Sequence, residues 1–142
     1  MRIFPMAIAV MAWGMAQSDT VYPVKDVVQF VVDRLDVTSF PSSIGPRREK
    51  NKTSFKDYGF TKREIKGNEV VLEEEGGGWK FTVAVLKRSD QGILVCIADR
   101  AVNGGSYNTQ GPLFLVRKDG KSLLRWDGRE APEVKECPKY PY

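Results

Sequence analysis

The chain of 142 residues contains two cysteines, Cys96 and Cys137, and no histidine. Without histidine, the commonest general base and the usual imidazole metal ligand are both missing. The two cysteines are far apart in sequence and form no Cys-x-x-Cys motif, so they read as a structural pair and not as a redox couple. In an oxidising compartment such a pair closes a disulfide, which also removes thiolate nucleophiles and thiolate metal ligands.

Two other chemistries remain open. Serine with lysine can form a hydrolase dyad, and Ser42, Ser43 and Ser106 lie in loop-like stretches, but no spacing singles out a partner lysine. Loops are rich in serine for turn reasons alone. Glu73 and Glu75 would project to one side of a strand about 6.6 Å apart, a separation that inverting glycosidases use for their carboxyl pair. The adjoining Gly76-Gly77-Gly78 favours a solvated strand end, and no aromatic-rich sugar cleft accompanies the pair. The expectation is a non-enzymatic protein without cofactor or metal. A small secreted hydrolase using serine or carboxylate chemistry is the alternative.

The stretch "DRAVNGGSYNTQGP", Asp99 to Pro112, reads as a long turn between two apolar runs and supplies the first candidate binding site. Gly104 and Gly105 can adopt conformations closed to other residues. Their N–H groups can form an anion-binding concavity with Arg100 nearby. A nucleotide-binding glycine loop needs a helix next, and here a strand follows. Asn103, Ser106 and Tyr107 suit a protein-binding tip instead, because tyrosine among small polar residues gives large contact at low entropic cost. Over about four residues this tip resembles the serine- and tyrosine-bearing loop of secreted lysozyme inhibitors, although two basic partners would repel.

A second candidate is the segment from Arg47 to Lys66. Its eight basic and three acidic side chains carry +5. Arg47, Arg48 and their neighbours would suit an anionic envelope polymer or lipid headgroups, making a basic anion-binding module a further alternative. Solvated charge that maintains solubility explains the same residues. Asn51-Lys52-Thr53 matches the glycosylation sequon, which has meaning in a eukaryotic secretory pathway.

The opening "MRIFPMAIAVMAWGMAQSDT" has Arg2, an uncharged apolar run and small residues before Gln17, the pattern of a secretory signal peptide spanning residues 1–16. The run is too short for a membrane-spanning helix. The mature chain, 17–142, is then expected to be one globular domain in the periplasm or secreted, with no transmembrane segment. Loss of Arg2 leaves 21 basic and 18 acidic side chains, a net charge of +3. That is far from the dense positive stripe of a nucleic-acid binder, so the expected partner is an envelope protein or polymer.

Val24, Val27, Val28, Val31 and Leu35 recur at helical spacing and predict an amphipathic helix over Pro23 to Asp36. About two dozen residues without a sustained period follow, a length that is uncommon for a structureless connection. From Phe60 onward, short apolar runs alternate with turn signals at Gly67-Asn68, "SDQG" and Asp119-Gly120. The predicted strands are Phe60 to Lys66, Glu69 to Glu75, Trp79 to Arg88, Ile93 to Ala98, Leu113 to Lys118 and Lys121 to Trp126. The expected fold is α+β, with one N-terminal amphipathic helix packed on a six-stranded antiparallel meander. In element order it resembles cystatin-like folds. Trp79, Phe81 and Trp126 belong to the core or its rim, and a Cys96–Cys137 disulfide would tether the proline-rich C-terminal tail across the central strand.

Overall fold

The computed structural model describes residues 22–117, 123–129 and 137. The leader read in residues 1–16 therefore lies outside the described residues, as do the Asp119-Gly120 turn and all of the tail beyond 129 except Cys137.

Helix α1 (Val27–Arg34) packs on a six-stranded sheet of β1 (Phe60–Lys66), β2 (Glu69–Glu74), β3 (Trp79–Ser89), β4 (Gly92–Ala101), β5 (Asn108–Arg117) and β6 (Leu124–Trp126). Strand order follows chain order, and every neighbouring pair is antiparallel. The predicted α+β meander is present.

α1 is shorter than the valine spacing suggests. Asp26 adopts a left-handed conformation before the first turn, and Leu35 is already extended after the last. A helix of eight residues rich in β-branched side chains has little intrinsic stability. Burial of Val28, Val31 and Val32 against the sheet holds it in place. Immediately beyond, Leu35 forms a parallel bridge with Leu124, and the Asp36 N–H donates to the Leu124 carbonyl at 2.8 Å.

Period-two alternation sorts the sheet. Val70, Leu72, Phe81, Val83, Val95 and Ile97 face α1 and are buried. Phe81 is a fully buried core residue, whereas Trp79 and Trp126 pack against the core from its rim. Cys96 alternates to the opposite face, where Ala84 and Ala98 are also buried. The disulfide to Cys137 is formed, and it joins the chain to the side of the sheet away from the helix.

Residues 37–59 are far more ordered than their lack of periodicity implies. Val37, Phe40, Ile44, Phe55 and Tyr58 all enter the core, and Phe55 packs edge-on to Phe60 and Phe81 at 6.1 and 5.0 Å. Two 3₁₀ turns, Gly45–Arg47 and Lys56–Tyr58, provide the local hydrogen bonds.

Cross-linking residues 41 apart is worth about 4 kcal/mol by chain entropy. Reduction or Cys137→Ser is expected to lower the unfolding free energy by up to about that amount, as read by urea melts of oxidised and reduced protein. Coincident midpoints would show that the bridge adds nothing.

Candidate functional site

Asp99 lies on the helix-facing side of β4, in register with Phe81 and Thr109, and is only 2 % exposed. An ionised carboxylate in such a position is costly unless donors surround it. Ser43, from the long connection, supplies two. Its backbone N–H donates to Oδ2 at 2.6 Å and its hydroxyl to Oδ1 at 2.8 Å. The Tyr107 hydroxyl faces the same carboxylate from the far side of the β4–β5 turn and favours its ionised form. One carboxylate thus joins the connection, β4 and the start of β5.

Aromatic and charged contacts extend this cluster to the surface. The Tyr107 ring packs edge-on to Trp79 at 5.7 Å, and the Arg47 guanidinium lies over the Trp79 ring at 5.6 Å. Arg47 Nη1 also pairs with Glu74 Oε1 at 2.7 Å. The series Glu74, Arg47, Trp79, Tyr107, Asp99 and Ser43 forms the base of the β4–β5 turn.

The turn itself is shorter than the stretch "DRAVNGGSYNTQGP" suggests, because Asp99–Ala101 and Asn108–Pro112 belong to strands. Pro112 is tolerated because, among the described residues, β6 pairs only with residues 115–117 of β5, so the missing N–H interrupts no ladder there. Between the strands, the Ala101 N–H bonds the Tyr107 carbonyl at 2.9 Å, and the Val102 N–H bonds Gly78 at 2.9 Å. Asn103 Oδ1 accepts from the Gly105 N–H at 3.1 Å, and Gly104 occupies the left-handed region at φ +90°. Asn103, Gly104, Gly105 and Ser106 are exposed, with Val102 44 % and Tyr107 36 % exposed beside them.

The sequence candidates therefore separate. Asn103, Gly104, Gly105, Ser106 and Tyr107 share one tip, and Arg47 joins its base through Trp79. Arg100 alternates to the opposite sheet face, in register with Lys80 and Asn108. Arg48 donates to the Thr38 carbonyl. Asp99, Trp79 and Glu74 complete the cluster without having been singled out in the sequence. Asp99 carried one readable signal, since it continues the inward series Ile93, Val95, Ile97.

The geometry gives little to acid–base chemistry. Asp99 is enclosed by donors, and the Ser43 hydroxyl is committed to it. Ser42 Oγ accepts from the Ile44 N–H at 3.2 Å. Lys80 pairs with Glu73 at 3.0 Å, and its hydrogen bond and charge hold the Glu73 carboxyl below the usual range. That shift opposes the protonated state a general acid needs. Glu75 accepts from the Thr61 hydroxyl at 3.2 Å. Among the described residues, no group of three or more histidine, cysteine, aspartate or glutamate side chains could hold a metal ion, and no helix is long and apolar enough to cross a membrane.

A depression of about 280 Å³ lies beside Asp99 and Tyr107, walled by Phe40, Pro41 and Leu113. A larger one of about 580 Å³ borders Lys87, Leu94, Phe114 and Arg129, on the side of the sheet away from Asp99. No protein-family model matches this chain, and no curated protein or solved structure matches it significantly.

Two outcomes are expected from this cluster. Tyr107→Phe removes the hydroxyl that faces the buried Asp99 carboxylate and should destabilise by about 1 kcal/mol. Tyr107→Ala also loses the aromatic pair, adding about 1 kcal/mol. Unchanged urea midpoints for both variants would remove Tyr107 from any supporting role. The second outcome concerns pH. Burial pushes the Asp99 carboxyl above its ordinary 3.8, against the hydrogen bonds from Ser43 and Tyr107 and the Arg47 charge. The folded state then holds this proton more tightly than the unfolded state does. The stability from Asp99 is therefore fully present below 3.8 and falls as pH rises through the folded value. The advantage of wild type over Asp99→Asn should be larger at pH 3 than at pH 7, and the opposite slope would contradict this environment.

Proposed function

We propose that the mature chain from Gln17 is exported, to the periplasm or out of the cell. There it acts without catalysis, binding an envelope protein through the β4–β5 tip. One observation carries the reading: the tip is braced from beneath and open above. Asp99, Trp79 and Arg47 fix Tyr107 at its base, while Val102, Asn103 and Ser106 face solvent. A braced surface loses less entropy on association than a loose loop, so more of its contact energy appears as affinity.

The anion-binding reading of Arg47 and Arg48 receives less support. Glu74 and Trp79 already engage the first, and the Thr38 carbonyl engages the second. The groups weighed for a hydrolase are engaged elsewhere among the described residues: Ser43 by Asp99, Ser42 by the Ile44 N–H, Glu73 by Lys80 and Glu75 by Thr61.

A photo-crosslinking residue at Ser106, in cells producing the full chain, should give a discrete envelope-protein adduct that Val102→Asp abolishes. Because Val102 and Ser106 are exposed, both changes should leave the melting temperature unaltered. An adduct insensitive to Val102→Asp, or none, would move the function away from the tip. Export is tested separately, by finding a processed chain that begins at Gln17 outside the cytoplasm.

A further inference from the structure

The two margins of the sheet are treated differently. At the β6 margin, Leu35 and Asp36 bond to Leu124 and close the edge. The first half of β5 extends past β6, but Pro112 lacks the N–H a further strand needs. Strand β1 is first in the sheet order, pairs only with β2 among the described residues, and exposes every residue from Thr61 to Lys66. Lys66 and Glu69 close a two-residue turn and so exchange both backbone hydrogen bonds. Antiparallel alternation then turns the N–H and C=O groups of Arg63 and Ile65 outward.

Charge and apolar surface lie on opposite faces of this edge. Across the face away from α1, Lys80, Glu73 and Lys62 stand in register on β3, β2 and β1, a row of alternating sign whose next position calls for an acid. Both lysines help hold the Glu73 carboxylate ionised. Lys66, 71 % exposed at its side chain, stands on the same face, where Glu64 between the two lysines pairs with it at 3.2 Å and leaves Lys62 facing the row's open end. On the helix side, Ile65 and Val24 are 46 % and 71 % exposed and border a depression of about 300 Å³ floored by Val27, Val28 and Val85.

We propose that the β1 edge takes an extended acidic segment of a partner protein as a seventh strand. Acidic side chains stand opposite Lys62 and Lys66, and an apolar side chain lies beside Ile65 and Val24. Main-chain bonds supply affinity in such strand addition, and alternating side chains supply selectivity. A second copy of β1 is a poor occupant. The self-pairing registers that use most of the strand set Arg63 against Arg63 or Lys62 against Lys66, and like charges directly opposite are destabilising. The site is separate from the β4–β5 tip and does not depend on it.

The test uses the purified chain and the peptide acetyl-Thr-Glu-Val-Thr-Val-Glu-Thr-amide, whose palindromic pattern fits parallel or antiparallel addition. Controls carry lysine in place of both glutamates, or N-methyl groups on both valines. The acidic peptide should slow hydrogen exchange at the Arg63 and Ile65 amides, while neither control does. Lys62→Glu and Lys66→Glu, at exposed positions, should each weaken binding about tenfold with an unchanged melting temperature. No protection at millimolar peptide, equal binding of the lysine peptide, or indifference to both charge reversals would overturn the proposal. So would protection confined to residues 102–107.

Discussion

A carboxylate buried as deeply as Asp99 requires hydrogen-bond donors, and in this fold those donors come from two segments distant in sequence. Ser43 provides backbone and side-chain donors from the connection, and Tyr107 provides its hydroxyl from beyond the β4–β5 turn. Satisfying one charge therefore fixes the path of two segments that lack a regular ladder at that point. Once Ser43 is in place, the 3₁₀ turn at Gly45–Arg47 carries Arg47 over Trp79 and within reach of Glu74. Once Tyr107 is in place, the exposed residues from Val102 to Ser106 have a fixed base. A buried charge adds little net stability compared with an apolar filling; its effect here is to specify one arrangement.

The strands were readable because hairpins are local. Gly67-Asn68 and the alternation of Phe81, Val83 and Val85 act within a few residues, and β1 to β4 lie close to their predicted bounds. The helix was readable from its valine spacing but not its ends, which depend on the left-handed Asp26 and on Leu35 bonding to β6. The connection over residues 37–59 gave no periodic signal because its core residues enter from irregular backbone. Phe40, Ile44 and Phe55 are buried by the sheet they meet, and no helical or strand period places them there. The candidate site was half readable. Tyr107 and Asn103 stood out by type, and Arg47 by its place in a basic run. Their union through Trp79 and Asp99 needed the strand register, which brings Trp79 opposite Ala101 at the mouth of the turn.

Folding also reorganises the charge of the basic segment. In sequence, Arg47 to Lys66 is a run of +5. In the fold, Arg47 meets Glu74, Lys52 meets Glu49, and Arg63 meets Asp33. Exposed pairs of this kind contribute little stability, but they break up the uniform positive field that the linear sequence suggests. Lys66 meets Glu64, while Lys62 stands at the end of the Lys80–Glu73 row on the β1 edge, four strands across from the start of the uncharged tip. The molecule presents two surfaces of different chemistry, one polar and aromatic, the other basic with an apolar flank.

The most direct test of Asp99 as the joint between these segments is a double-mutant cycle of Ser43→Ala and Tyr107→Phe, read by urea unfolding at neutral pH. The two residues are remote in sequence, and the Ser43 hydroxyl donates to the carboxylate that the Tyr107 hydroxyl faces. A coupling energy of about 0.5–3 kcal/mol is therefore predicted. The same cycle in an Asp99→Ala background should show no coupling. Additivity within about 0.5 kcal/mol in the wild-type background would contradict a shared carboxylate and leave the connection and the tip as independent features of the fold.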